Sequence, residues 1–341
     1  MTGLHLLPTD SERPTLKTIA AETGLAIATV SRALKDAPDI GEETKRRVRE
    51  TAERLGYRPN RAGVRLRTGK TNVIALTMST EADVMNHTSR LIYSIAEALR
   101  GSSYHLVVMP FFPDQDPMDP IRYIVETGSA DGVLMNQTTP DDPRVRYLAE
   151  HNFPFATHGR TSMGLDHPYF DFDNEEFARI GVRALKARGR KRLLLIPPPR
   201  AQSYSSHMIT GFADESALQG LTFEVMDDAT SDSGAAAIEA AVNRRMSCEP
   251  AIDGLMAGST TAAMVAVAGA ERNGKVIGQD FDIVSKEAIS FLRRFRKEII
   301  VVKEDVGRAG LFLARAVMAA IERRAPEQGQ FIDRPDHAEL D

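Results

Sequence analysis

The spacing of apolar positions along the chain changes near residue 70. Before it, apolar residues recur every three or four positions. Leu16, Ile19 and Ala20 share one helical face, and Val30, Ala33 and Leu34 share another. Thr23-Gly24-Leu25 separates the two runs, so the pattern predicts two short helices joined by a Gly-containing turn, the layout of a helix-turn-helix. Thr15 is placed to cap the first helix through its hydroxyl. A third run over 42–55 turns Val48, Ala52 and Leu55 inward and many charges outward, which closes a small three-helix core. From residue 71 short apolar runs alternate with helical stretches. Residues 73–76, 105–109, 132–135, 153–157, 193–196, 222–226, 254–256 and 282–284 read as strands. Residues 89–99, 120–126, 175–187, 206–219, 235–246, 260–273 and 307–323 read as helices. Strands separated by helices predict parallel α/β sheets. The stretch exceeds what one hydrophobic core serves comfortably, so two subdomains are expected. A ligand would then sit beyond the carboxyl ends of the strands, in a cleft between them.

Charge distinguishes the two regions further. Residues 1–70 hold 14 Lys and Arg against 9 Asp and Glu, whereas residues 71–341 hold 29 against 38. The basic excess is therefore confined to the helical head, as an electrostatic footprint for DNA should be. An acidic remainder disfavours non-specific binding elsewhere. In the second helix the small residues Ala26, Ala28, Thr29 and Ser31 leave a slim face suited to approaching phosphates and base edges. Arg32 can reach a guanine edge or a phosphate from the same face. An ordinary helical hairpin would show the same apolar spacing; the local basic excess favours DNA.

Other chemistry narrows the field. Cys248 is the sole cysteine, so no disulfide framework or cysteine zinc site is expected, and a reducing cytoplasm fits. The eight histidines show no HExxH pattern, and no Gly-rich phosphate loop or GxSxG elbow follows a strand. No cofactor and no metal are expected. The basic run Arg293-Arg294-Phe295-Arg296-Lys297 reads as a solvated helix end or loop. Residues 1–12 lack a basic start and a long apolar stretch, so they do not read as a signal peptide. No apolar run is long enough to span a membrane. Both ends, including residues 326–341, read as partly flexible.

Several segments resemble one family together. Thr15-Leu16, Ile19-Ala20, Gly24, Ala28-Thr29-Val30-Ser31-Arg32, Leu34, Gly56-Tyr57-Arg58-Pro59-Asn60 and Leu66-Arg67-Thr68-Gly69 are similar to the LacI/GalR family of bacterial repressors. The resemblance implies a three-helix, all-α helix-turn-helix DNA-binding domain followed by an α/β, two-lobed periplasmic-binding-protein-like domain with parallel sheets, whose chain crosses between lobes three times. The expected boundaries are a flexible N-terminus (1–12), the helix-turn-helix domain (13–58), a hinge helix or linker (59–70), an effector-binding and dimerisation domain (71–330) and a C-terminal tail (331–341). It further implies that Ile27, Ala28 and Arg32 read bases and that Thr29 and Ser31 contact phosphates, with Thr15, Asn60 and Arg61 also on DNA. Leu66 occupies the position of a leucine that wedges into the minor groove and kinks it. Gly63 stands where alanine is common, which costs ~1 kcal/mol of helix propensity.

The large domain carries fainter family marks: Phe172-Asp173-Asn174, Gly189-Arg190-Lys191-Arg192 leading into 193–196, and Gly211-Phe212. At the ligand positions it departs. Met208, with His207 beside it, stands where the family has an arginine three residues before that glycine. Gly258-Ser259 replaces an Asn-Asp pair, and Ser285-Lys286-Glu287-Ala288 replaces a Gly-Phe-Asp-Asp. Candidate cleft residues at strand ends are Thr80, Glu81, Asp83, His158, Arg160, Tyr204, Ser206, His207, Ser259, Lys286 and Glu287. The resulting expectation is a cytoplasmic, allosteric transcription regulator, a repressor of a carbohydrate uptake or catabolism operon. Its partners would be palindromic operator DNA, a sugar or sugar derivative as effector, and further copies of itself as homodimer or tetramer. A sugar-modifying α/β enzyme with an accessory DNA-binding domain is the alternative. A periplasmic solute-binding protein would lack the helix-turn-helix.

Overall fold

The computed structural model describes residues 14–57, 65, 69–80, 84–288, 290–325 and 329–335. The chain divides into two compact units, Met1–Thr71 and Asn72–Asp341.

In the first unit α1 spans Leu16–Thr23, α2 Ile27–Ala33 and α3 Glu42–Arg54. The Thr15 hydroxyl accepts the Thr18 N–H at 3.3 Å, and the Thr18 hydroxyl accepts the Thr15 N–H at 3.0 Å. This reciprocal pair satisfies donors that the first helical turn leaves without partners. Gly24 ends α1 at φ 66°, a left-handed conformation that glycine adopts without steric cost. Ile19, Ala20, Val30, Ala33, Val48 and Ala52 form the core. Side-chain bonds tie the third helix to the others: Arg47 donates to the Thr23 carbonyl at 3.0 Å, and Arg54 meets Glu22 at 2.9 Å.

The second unit has two lobes, each built on a parallel sheet. In the first lobe β1 (Val73–Ser79), β2 (His105–Phe111), β3 (Gly132–Met135), β4 (Phe155–His158), β5 (Tyr169–Phe172) and β11 (Gln330–Asp333) lie in the order β11-β5-β4-β3-β1-β2. In the second lobe β6 (Arg192–Ile196), β7 (Thr222–Val225), β8 (Gly254–Ala257), β9 (Asp282–Glu287) and β10 (Ile300–Lys303) lie in the order β10-β9-β8-β6-β7. Counted from each lobe's first strand, the first five strands of both follow one order, 2-1-3-4-5. That order reverses direction beside the first strand, which opens a crevice at the carboxyl ends.

Alternation along the strands supplies two buried faces per sheet. Ile74, Leu76, Leu134, Ala156 and Phe170 face α4 (Val84–Ala98) and α12 (Val306–Ile321). Ala75, Val133, Met135 and Phe155 face α5 (Met118–Thr127) and α6 (Pro143–Glu150). In the second lobe Leu194, Ile196, Leu255 and Ile283 pack with α9 (Ala235–Ser247) and α10 (Thr260–Arg272). Leu193, Leu195, Met256 and Val284 pack with α7 (Asn174–Ala187) and α8 (Ser203–Leu218). Strands buried on both faces are expected to read as continuous apolar runs, as β3, β8 and most of β6 do.

The chain leaves the first lobe at Asp173-Asn174 and returns through Glu304-Asp305. Two of the three crossings implied by the resemblance thus lie among the described residues. The backbone of Ser203 also donates to the Thr138 carbonyl at 2.8 Å, a bond from one lobe to the other. Three strands and two helices go beyond the pattern read from the sequence: β5, β10, β11, α6 and the short α11 (Leu292–Phe295). Part of the expected flexible C-terminal stretch is in fact β11, which pairs with β5 from Gln330 against Tyr169 to Asp333 against Phe172. Among the described residues no helix is long and apolar enough to cross a membrane.

Candidate functional site

The first unit presents the start of α2 outward. Ile27 and Ala28 are exposed, Thr29 and Ser31 are half-buried, and Val30 and Ala33 hold the helix to the core. Ile27 is 45% exposed. Thr15 is engaged in the cap of α1. The Arg32 guanidinium donates to Asp39. Both partners are about half exposed, so the pair contributes at most ~1 kcal/mol, whereas a guanidinium contact to a base edge is worth ~1–3 kcal/mol. Asp39 therefore holds Arg32 only weakly. Asn60, Arg61 and Leu66 lie outside the described residues.

The second unit contains a cleft of about 370 Å³ between its lobes, within the size range of small-molecule sites. Three strand ends of the first lobe line it. Asn136 and Gln137 follow β3, His158 ends β4, and Asp171 sits on β5. His87 of α4 joins them, while Asn174 and Glu304 come from the two crossings. The second lobe supplies Tyr204 from α8, Ser259 and Thr260 at the start of α10, Lys286 from β9 and Phe291 beyond it.

At the centre stands Glu304, buried, with its carboxylate shared by three neighbours. Lys286 Nζ lies 3.1 Å from Oε2, and His87 Nε2 lies 3.1 Å from Oε1. His158 Nε2 is 3.9 Å from the same Oε1. Burial works to raise the Glu304 pKa, but Lys286 and His87 overcome it and hold the carboxyl well below the usual range. Lys286 is held further by Asn174, whose Oδ1 accepts from Nζ at 3.2 Å. The rings of Tyr204 and Phe172 lie 5.1 and 5.6 Å from the same nitrogen, within cation–π range.

Two groups beside this cluster carry no net charge near neutral pH or sit at the edge of ionisation. Burial, reinforced by His87, pushes the His158 imidazole down to about 3, so it is neutral and forms no ion pair with Glu304. Burial pushes the Asp171 carboxyl up to about 7, against the pull of Arg160, whose Nε is 3.2 Å from Oδ2. Buried polar atoms without a hydrogen-bond partner cluster on this wall: Asn136 Oδ1, Gln137 Nε2 and His158 Nε2. Such atoms are costly unless something satisfies them, and as a group at strand ends they mark a polar ligand site. Gln137 also has φ 53°, a strained conformation of the kind that collects at ligand sites.

His87, His158 and Glu304 could present three ligand atoms within 4.8 Å of one another to a metal ion. The Lys286 ammonium already neutralises that carboxylate and would repel a second cation. The arrangement suits hydrogen bonding to a neutral polar molecule better than metal coordination.

Among the sequence-derived candidates, His158, Tyr204, Ser259 and Lys286 line this cleft. The others sit elsewhere. Arg160 stands behind Asp171 as its ion-pair partner. Thr80 donates its N–H to the Phe111 carbonyl at 3.0 Å. The Ser206 hydroxyl donates to the Ser203 carbonyl at 2.7 Å. His207 lies off the lining, its pKa lowered by burial and by Arg160. Glu287 accepts the backbone N–H groups of Phe291 and Leu292, capping α11 from within the protein. Glu81 and Asp83 lie outside the described residues. Sequence reasoning missed His87, Asn136, Gln137, Asp171, Asn174 and Glu304. Only the apolar run Ile299 to Val302, a strand ending just before Glu304, could have pointed to one of them.

Comparison with known proteins agrees with this architecture. Residues 15–60 match the family model for bacterial regulatory proteins of the lacI family, and residues 87–322 match that for periplasmic binding proteins and the sugar binding domain of the LacI family. The chain is 29% identical over 324 residues to the HTH-type transcriptional regulator AglR of Rhizobium meliloti (strain 1021), covering 92% of this chain and 90% of that one. It is 34% identical over 208 residues to the regulator RafR of Escherichia coli, covering 60% and 62%. Among solved structures, the lac repressor dimer bound to operator and the anti-inducer ONPF superimposes with TM-score 0.83 at 16% identity, covering 95% of this chain and 97% of that one. A complex of the regulator CelR with cellobiose superimposes with TM-score 0.67 at 22% identity, covering 95% and 98%.

Proposed function

We propose a ligand-switched mode of action for this chain, which belongs to the LacI family and is a helix-turn-helix, DNA-binding transcriptional regulator. In this reading the first unit reads an operator through Ile27, Ala28 and Arg32, with Thr29 and Ser31 on phosphates. The second unit senses a sugar in its inter-lobe cleft, and the sugar relieves repression of genes for carbohydrate uptake or catabolism. The observation that carries the effector reading is the wall of unsatisfied hydrogen-bonding groups on Asn136, Gln137 and His158, facing a cleft also lined by Tyr204 and Phe291. Hydroxyls both donate and accept, so a sugar can satisfy that mixture. Cellobiose, held by the CelR structure, belongs to this chemical class. The aromatic side chains offer apolar contact to a sugar's C–H surface.

The effector must bind two states of the protein with different affinity, since equal binding shifts nothing. Dimerisation is part of the proposal. The edge strand β2 leaves Val107 and Val108 exposed, and Phe112 beyond it and Tyr93 of α4 are exposed as well. Apolar side chains on a bare sheet edge suit a second copy of the chain. Two recognition helices would then meet half-sites about one helical turn (~34 Å) apart.

The test pairs two titrations of the full-length protein. Calorimetry with cellobiose, maltose and sucrose is expected to find at least one ligand. Fluorescence anisotropy on DNA from upstream of the protein's own gene is expected to show binding that this ligand weakens. Arg32→Ala should reduce specific affinity by ~1–3 kcal/mol. Binding to DNA that no sugar alters would refute the effector reading, and an Arg32→Ala protein with unchanged specificity would refute the base-reading role.

A further inference from the structure

We propose that Glu304 sets the charge class of the effector: by holding the Lys286 ammonium, it makes the cleft select uncharged, hydroxyl-rich sugars and reject acidic and phosphorylated ones. The inference rests on reading the cleft as a sugar site and adds which sugars it admits.

Lys286 is the one lysine or arginine among the described residues that line the cleft. Left to itself, a half-buried ammonium at the mouth of a β-strand would attract a phosphate or carboxylate. It is not left to itself. Glu304 takes it at 3.1 Å, Asn174 at 3.2 Å, and Tyr204 and Phe172 shield it with their rings. Its charge is balanced before any ligand enters. Arg160, the next nearest guanidinium, lies off the lining and is paired with Asp171.

The same volume is faced by the acidic side chains of Asp171, Asp232 and Glu304. An anionic ligand would have to pull Lys286 from Glu304 and then remain beside the freed Glu304 carboxylate and Asp232. Both steps are expensive, because Lys286 and Glu304 are largely buried and removing one partner of a buried pair leaves the other charge uncompensated. A neutral sugar meets neither obstacle. Its hydroxyls can meet Asn136, Gln137, His158 and Asp171 and leave the Lys286–Glu304 pair in place. Glu304 is the selector because its carboxylate contacts Lys286 directly.

The test uses the full-length chain with cellobiose, maltose and sucrose, the phosphorylated forms of the same disaccharides, and glucuronate. Thermal shift and calorimetry are expected to rank a neutral disaccharide above its phosphorylated form by roughly tenfold or more. Glu304→Gln keeps the shape and removes the charge. It should strengthen binding of the phosphorylated sugar by roughly tenfold, with the gain lost again in the Glu304→Gln, Lys286→Met double variant. A phosphorylated sugar or glucuronate that binds the unaltered protein as tightly as the neutral sugars would overturn the inference while leaving the sugar reading intact. So would a folded Glu304→Gln protein that gains nothing for anions. If that variant does not fold, the ranking on the unaltered protein decides alone. Failure of every sugar, neutral or charged, would remove the sugar reading and this inference with it.

Discussion

At Asp171 the folded chain keeps a proton that the unfolded chain gives up. Burial lifts its carboxyl from 3.8 to about 7. Between those values the native state binds more protons than the unfolded one, so stability falls as pH rises. The loss is absent below the unfolded value and complete above the folded one, and over that window it amounts to roughly 4 kcal/mol. Asp171→Asn removes the titration and keeps the shape. Chemical denaturation at several pH values from 5 to 8 should show a downward slope in the unaltered protein that this variant flattens; equal slopes would mean that Asp171 ionises normally. The residue was not legible in the sequence, where Phe-Asp-Phe suggests neither a buried strand nor a ligand group. His158, Tyr204, Ser259 and Lys286 were legible, because each follows or ends an apolar run and the strand-end rule for parallel sheets places it at the cleft. His87 comes from a helix face, Glu304 from a crossing, and Gln137 from a left-handed turn. None of these positions has a periodicity to announce it.

Gly211 shows what a single element junction tolerates. A Cβ there would stand 2.2 Å from the Glu175 carbonyl oxygen, because α7 and α8 approach backbone to backbone. The obstacle is main chain, so neither a rotamer change nor a side-chain shift relieves it. Gly211→Ala should cost ~1–3 kcal/mol, typical of overpacking, read as a lower denaturation midpoint with an unchanged slope. An unaltered midpoint would show that the helices separate freely. The Gly-aromatic pair was visible in the sequence as a family mark, and the contact supplies its physical reason. Elements longer than about ten residues were read to within a few positions, since helical periodicity accumulates over several turns. β5 is interrupted by Asp171 and β11 is apolar only at Phe331 and Ile332, so neither gives a continuous run, whereas β10, in the apolar run from Ile299 to Val302, was overlooked.

For the molecule as a whole, the division of labour follows charge and composition. A basic head is joined to an acidic sensor, and the two were separable in the sequence because apolar spacing and charge change together near residue 70. Self-association is not written in any motif; it is inferred from what β2 leaves uncovered. Val108→Lys places a charge on that edge without disturbing a core. Sedimentation at micromolar concentration should show the dimer weakened towards monomer, with the melting behaviour of the separated chains preserved. A dimer that persists unchanged would move the interface elsewhere.

The two lobes share a strand order yet are chemically unlike where they face each other. One wall offers amides, an imidazole and a carboxyl; the opposite wall offers two aromatic rings and a neutralised ammonium. Backbone symmetry is thus paired with an asymmetric lining, which gives the cleft a sense of direction. A molecule with unlike ends can seat one way round and not the other. Isomers of equal size and composition, differing only in how their two halves are joined, become distinguishable signals.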